Sequence, residues 1–518
     1  MNKSSLARGL AVLLALLLAL PLAGYTAHAQ PKEIRIGIVT DRSGALSYYG
    51  DMSINGFILG LMYALNISSF ETLTPNLEWK LVWGDKVIHI IAASNVPAGQ
   101  QVPDPVTATK VAEDLILNKG VEILVGTADS PSAIALTQIA EKYKVVFLVV
   151  PAADHEITKT YLNRYVFQIS STTWHDAIAG GTYAAKLGKT VAFLAPANSW
   201  GRSTVAAWST VIQQNGGVVV ADIYAPVTTT DFTPYIQALL ASKAEVFVPV
   251  WAGATALALY QQINASGVYQ KMKVTSGIPD LATLNLLRMG LYLPNYEGMM
   301  KYAWNLPQNN PVNDWLVAKY VELYKKKALP TMGTLLVAFP LPDLFVGEGF
   351  VAGHALGLAL QKTGGSTDPE KLISALEGLS FFSVKGQITI RKEDHRTVQD
   401  MYIARIVWDT ESLKKYYSVE ELPDLYKPLW NLGMFAVEYI DTVKGVAPPV
   451  EANLYPAQPP QPAPPPQQPA QPAQPAQPTP PPQPQQPAPD YTPYIVAALV
   501  AVIIIVAAVL LIRRKPSK

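Results

Sequence analysis

Between residues 33 and 40 apolar and polar positions alternate, with Ile34, Ile36 and Ile38 on one face and Val39 adding β-branched bulk, which predicts a short strand entering a core. Arg42, Ser43, Gly44 and Ser47 then break the pattern, so 41–48 reads as a loop. The next stretch changes period. Ile54, Ile58, Leu61 and Leu65 fall on one stripe, which predicts a helix capped by Asp51. The same unit recurs downstream: strands are expected at 77–83, 121–125, 145–150, 190–195, 218–225, 246–250 and 273–275. Helices are expected at 107–118, 133–143, 176–187, 202–215 and 232–241, and 85–105 reads as a long loop. Further on, 297–303 is expected to cross back, 315–327, 345–362 and 370–377 read as helices, and 387–390 and 401–408 as late strands. The piece 422–443 looks helical in part and finds no place in the pattern.

Strands alternating with helices predict an α/β fold with parallel sheets, in which ligands bind beyond the carboxyl ends of the strands. The loops at those ends are therefore the places to look. The first carries Tyr48 and Tyr49. A second runs Gly126, Thr127, Ala128, Asp129, Ser130, Pro131, Ser132 into a helix, where unpaired N–H groups suit an anion or where Ser130 or Ser132 simply caps. Asp154, in a third, either accepts hydrogen bonds from an ammonium group or caps the next turn. Trp200 lies beside Asn198 and Ser199, as a packing residue or a ligand wall, and Trp251 opens a further loop with Ala252 and Gly253.

Composition narrows the function classes. The chain has 518 residues, 49% hydrophobic and 15% charged, too long for one ordinary core. A net charge of +1 with no basic stripe gives no reason to expect nucleic acid. Without cysteine there is no disulfide framework and no lipoprotein anchor of that kind. The sequence holds no GxSxG, HExxH or P-loop, and Gly347, Gly349 and Gly353 have the wrong spacing for GxGxxG, so catalysis, a cofactor and a metal site are not expected.

The ends supply the compartment. Lys3 and Arg8 precede an apolar run at 10–20, and Ala27, His28 and Ala29 form a cleavage site, so 1–29 reads as a secretory signal cleaved near Gln30, with an uncleaved anchor as the alternative. Residues 494–512 are uninterrupted and apolar, long enough to span a bilayer, and Arg513, Arg514, Lys515 and Lys518 in 513–518 belong on the cytoplasmic side. Residues 446–493, rich in Pro, Gln and Ala, read as an extended tether. The folded part is thus expected outside the cell. There Asn66 and Asn264, both in N-x-S sequons, carry glycans or remain plain solvated residues.

Five stretches, taken in order, resemble a known family: IRIGIV with SGALSYYGDMSINGF; GVEILVGTADSPSAIALTQIAEKYKVVFLVVPAAD; VAFLAPANSWGRS; TDFTPYIQALLASKAEVFVPVWAG; and TGGSTDPEKLISALEGLSFFSVKGQITI. They are similar to the branched-chain amino acid and amide binding proteins of ABC importers, of the type I periplasmic-binding fold, over about 34–409. The resemblance implies two α/β lobes that close over a ligand, with 33–171 and 305–390 in lobe 1 and 172–304 and 391–445 in lobe 2. It also implies a ligand site at Tyr49, Ser130, Ala152, Asp154, Trp200 and Phe345, with Trp251 beside the position of a family tyrosine. This chain departs from the family in two places. Aspartate stands at 154 where a hydroxyl residue is usual, and Ile278 stands where amino-acid binders carry an acid, with Asp280 two residues on. Either the acid has moved across the cleft or the ligand is not an α-amino acid. An acid among aromatic residues also suits a cationic ligand. The expected partners are a small polar molecule, ABC permease subunits and the membrane; the alternative is a sensing ectodomain that works through a separate signalling partner.

Overall fold

The computed structural model describes residues 32–75, 77–253, 255–286, 296–331 and 338–455. The stretch 1–29 expected to be a secretory signal, the Pro-rich run beyond 455, the apolar stretch 494–512 and the basic tail lie outside the described residues.

The first strand, β1 (Lys32–Thr40), is the centre of a seven-stranded sheet. Its neighbours are β4 (Lys86–Ser94) and β5 (Ile123–Gly126), both parallel to it, and the sheet continues through β6 (Val146–Val149) to β7 (Val166–Gln168). On the other edge β3 (Glu78–Trp83) and β2 (Glu71–Thr74) run antiparallel. The stretch read as a long loop at 85–105 therefore contains the strand that flanks β1. Gly84 and Asp85 form a two-residue hairpin turn, with Gly84 at φ 60°, and Lys86 and His89 inside KVIHIIAAS hid the apolar run that follows.

Helix α1 (Ser47–Leu65) covers one face of this sheet and α2 (Pro105–Leu117) and α3 (Ser130–Tyr143) the other. Asp51 does not cap α1. It lies inside the helix, buried and ion-paired to Arg42, while Asp41 organises the loop by accepting the N–H groups of Ser43, Gly44 and Leu46.

The second sheet has β11 (Lys273–Val274), β10 (Val246–Pro249), β8 (Thr190–Pro196) and β9 (Val218–Ala225) in that order, all parallel. It is reached through α4 (Thr173–Asp176), a π turn at Ala177–Gly181 and α5 (Thr182–Leu187). Helix α6 (Ser199–Gln214) packs Trp208 and Val211 against Phe193, and α7 (Thr233–Ala241) and α8 (Ala256–Ala265) pack Ile236, Leu239, Leu259 and Ile263 on the opposite face. After a short helix α9 (Val268–Lys271) comes α10 (Leu281–Leu286).

Strand β12 (Glu297–Met300) belongs to a further sheet and meets the chain just beyond β11, on the second-lobe side, through an isolated parallel bridge of Met299 with Gly277. The chain then returns to the first lobe as α11 (Pro311–Lys325) and α12 (Leu344–Lys362). Helix α12 is long and apolar enough to cross a membrane, yet it is mostly buried in the body, against α1. The contact is so close that a Cβ at Gly349 or Gly353 would fall 2.3 Å from Ser53 O or 2.0 Å from Phe57 O, which accounts for glycines that fit no nucleotide motif.

Helix α13 (Pro369–Leu376), β13 (Ser380–Ser383) and β14 (Gly386–Ile390) lead to the long β15 (Thr397–Asp409). Thr397 and Val398 pair with β14 and the preceding Arg396 bridges to Gln168 of β7, while Tyr402–Arg405 pair with β12. That one strand therefore joins the two lobes. The stretch 422–443, unplaced by pattern, is a short helix α15 (Lys427–Leu432), preceded by α14 (Ser412–Tyr416), and then β16 (Met434–Val446), antiparallel to β15.

Candidate functional site

Both lobes present the carboxyl ends of their strands as loops that lead into helices. In the first lobe β5 ends at Gly126, at φ 138°, where a Cβ would sit 2.0 Å from Val39 O and only glycine fits. Asp129 then caps α3, accepting Ser132 N–H at 2.8 Å and the Asn95 amide at 2.6 Å; burial pushes its carboxyl above the usual range against these bonds. The capping role considered for Ser130 or Ser132 thus belongs to Asp129.

The Ser130 hydroxyl accepts the backbone N–H of Asp154 at 3.2 Å and keeps its own proton to donate elsewhere. Ala152 and Asp154 are fixed from behind, their carbonyls accepting the Gln168 side-chain amide at 3.2 and 3.0 Å. Asp154 caps the 3₁₀ turn His155–Thr158 with Oδ1, 3.0 Å from Glu156 N, as one of its two readings expected. Its other oxygen, Oδ2, is buried and has no hydrogen-bond partner among the described residues. Ser130, Ala152 and Asp154 are therefore one cluster.

A second cluster joins the lobes. The Tyr49 hydroxyl, on the first turn of α1, donates to Asp280 Oδ2 at 3.2 Å, from the loop beyond β11. Phe345 stands edge-on to Tyr49, ring centroids 5.0 Å apart. Asp280 Oδ1 accepts Thr283 N–H at 2.7 Å, and Asp343, the cap of α12, accepts Leu281 N–H at 2.5 Å and Leu344 N–H at 2.7 Å. The two carboxyls are thus neighbours. Burial raises the pKa of both, and the charge of Asp280 raises that of Asp343 further, well above the usual range. Burial first and Asp280 second likewise push the Tyr49 hydroxyl well up. Asp343 escaped the sequence reading because a lone acid before an apolar helix looks like any cap.

The tryptophans stand apart from these clusters. Trp200 lies on the first turn of α6, half-buried and packed on the core around Phe193 and Trp208, behind a cap in which Asn198 accepts Gly201 N–H at 2.9 Å. The neighbouring Ser199 Oγ is buried and has no hydrogen-bond partner among the described residues. Trp251 is 8% exposed, edge-on to Phe232 at 4.9 Å, and its indole N–H is held by Thr255 Oγ1 at 2.9 Å. The lobes nevertheless meet nearby: α3 touches α6, and Leu46 faces Gly253.

Behind the clusters, where the chain crosses between lobes, lies a buried ionic network that sequence reasoning missed. Glu348 accepts Lys385 Nζ at 2.8 Å and Ser171 N–H at 2.7 Å; Lys301 donates to Ser171 Oγ at 2.9 Å and pairs with Asp176 at 3.0 Å; Lys385 also donates to Gln399 at 2.6 Å. Burial works to raise the Glu348 pKa, but Lys385 and Lys301 together hold it below the usual carboxylate range. An acid inside the otherwise apolar 344–362 was the available signal.

Known proteins resemble this arrangement over most of its length. The periplasmic binding protein family model matches residues 100–411. A Leu/Ile/Val-binding protein homolog 6 of Brucella melitensis is 26% identical over 330 residues, 62% of this chain and 78% of that one. An ABC-type branched-chain amino acid transporter structure from Rhodopseudomonas palustris CGA009 superposes with a TM-score of 0.60 at 27% identity, covering 81% of this chain and 99% of that one. A solute binding protein of an ABC transporter from Rhodopseudomonas palustris BisB5, in complex with 3,4-dihydroxy benzoic acid, shares the fold at a TM-score of 0.62 and 22% identity, covering 80% and 99%. With two α/β lobes facing each other across their strand ends and a family match over more than half its length, the chain belongs to the periplasmic binding proteins, the substrate-binding components of ABC-type transporters.

Proposed function

We propose that this protein is a membrane-tethered receptor, held outside the cell by its C-terminal apolar stretch, that captures a small polar ligand such as an amino acid or amide and delivers it to ABC permease subunits. The observation that carries this reading is the Tyr49–Asp280 hydrogen bond beside Phe345, which brings strand-end loops of both lobes to one place. A ligand that touches both lobes at once stabilises the closed arrangement over the open one, and capture follows from that difference. Ser130, Ala152 and Asp154 form the proposed wall in one lobe, Trp200 and Trp251 the wall in the other, and Tyr49, Asp280 and Phe345 the rim between them.

Asp154 sets the chemistry of the ligand. A buried carboxylate oxygen with no partner calls for a hydrogen-bond donor, so this end of the ligand is an ammonium, guanidinium or hydroxyl group. Relatives named for leucine, isoleucine and valine, and the neighbour holding 3,4-dihydroxy benzoic acid, support a ligand among small molecules with a carboxylate; in this reading that carboxylate points away from Asp154. The test is titration calorimetry of the full chain with L-leucine, L-arginine, acetamide and 4-hydroxybenzoate, beside mass spectrometry of small molecules released on denaturation. One-to-one binding that Asp154→Asn weakens is expected. No heat from any of the four together with no released molecule would overturn the reading.

A further inference from the structure

The Pro-rich tether was expected to begin at residue 446, but its first part is seated on the body. Pro448 O accepts Arg391 at 2.5 Å and Pro449 O accepts Arg396 at 3.1 Å. Leu454 N–H donates to Glu393 O at 2.8 Å, Tyr455 hydrogen-bonds Glu377, and Lys392 Nζ lies 4.6 Å from the Tyr455 ring.

Glu451 is the centre of this strap. One carboxylate oxygen accepts Arg396 at 2.9 Å and the Trp174 indole N–H at 2.8 Å; the other lies 3.6 Å from Lys159 and 3.9 Å from His155. These partners come from three different places. His155 and Lys159 follow β6 in the first lobe, Trp174 opens α4 at the entrance to the second, and Arg396 lies in the crossing just before β15. Arg396 is fully buried, and its remaining donors reach Thr158 Oγ1 at 2.9 Å and His155 O at 2.7 Å, so Glu451 supplies its closest counter-charge, Asp394 standing 3.9 Å off.

The path of the backbone gives the strap its meaning. The chain crosses between the lobes at 169–172, at 301–304 and along β15. Strand β16 lies on the second-lobe part of β15, and Tyr455 ends on Glu377 beside α13 of the first lobe, so 447–455 is a fourth crossing. A hinge opens freely only when its crossings bend together, and one pinned at both ends by hydrogen bonds resists. We infer that Glu451 is a positioning residue for ligand capture: by pinning the strap to both lobes it limits how far they open, and through the 3₁₀ turn that Asp154 caps it steadies one wall of the site.

The chain lacks cysteine, which allows interlobe distances to be read directly. Spin labels at Lys119→Cys and Gln214→Cys, both exposed and at the far ends of the two lobes, would be measured by pulsed electron resonance in the full chain without added ligand. Glu451→Ala is expected to lengthen and broaden the distance distribution, at least doubling the long-distance population, an effect of about twofold in the open-to-closed ratio. Trp174→Phe, which removes only the indole donor, should move it the same way by less. A distribution identical to the wild type in Glu451→Ala overturns the proposal. If that variant does not fold, an unchanged distribution in Trp174→Phe overturns it instead.

Discussion

The hinge and the rim between the lobes are built from the same residue types with opposite bookkeeping. At the hinge two acids, Glu348 and Asp176, face two lysines, Lys385 and Lys301, and the group is buried and neutral. At the rim, about one and a half turns back along α12, Asp280 and Asp343 lie side by side with no lysine or arginine paired to either among the described residues. Matched charges fix a place where the chain must hold together. Unmatched acids, held by backbone N–H groups and a tyrosine, leave a place whose charge changes with its surroundings.

The largest effect is expected where the matching is broken. Glu348→Ala strands the Lys385 ammonium in the interior and should cost about 3–5 kcal/mol of stability in urea unfolding, whereas replacing both by apolar residues of similar size should recover most of that loss. At the proposed site, Ser130→Ala and Trp200→Ala are each expected to weaken ligand binding by tenfold or more, about 1.4 kcal/mol by calorimetry. Unchanged affinity in both would remove these residues from the site. Tyr49→Phe deletes the one hydrogen bond from tyrosine to Asp280 and should lower stability by about 1 kcal/mol in the same unfolding experiment.

The smallest effect is one of slope. Because Asp280 and Asp343 hold their protons more tightly folded than unfolded, their contribution to stability is present in full below about pH 4 and is lost as pH rises through the raised folded values. Glu348 runs the other way, its contribution fading as pH falls below the usual carboxylate range. Asp343→Asn should flatten the fall at higher pH and leave the Glu348 limb untouched. A slope unchanged by that substitution would show that the rim acids do not titrate together.

Much of the fold was legible because parallel strands buried on both faces leave continuous apolar runs, as in Val146–Val149 and Val246–Pro249. Strand β4 was not, since Lys86 and His89 break its run and its place beside β1 is set by a hairpin turn rather than by composition. Of the residues proposed for the site, Ser130, Ala152 and Asp154 lie together, as do Tyr49, Asp280 and Phe345, while Trp251 is engaged by Phe232 and Thr255.

What the sequence determined by itself was the succession of strands, helices and strand-end loops, because periodicity and capping are local and each is written within about ten residues. What only the tertiary structure decided was pairing at long range: Asp280 with Tyr49, Glu348 with Lys385, and Glu451 with Arg396 and Trp174. A buried charge takes its character from the group opposite it, and these partners come from distant parts of the chain, so no reading along the chain could tell a charge-matched hinge from a rim of unmatched acids.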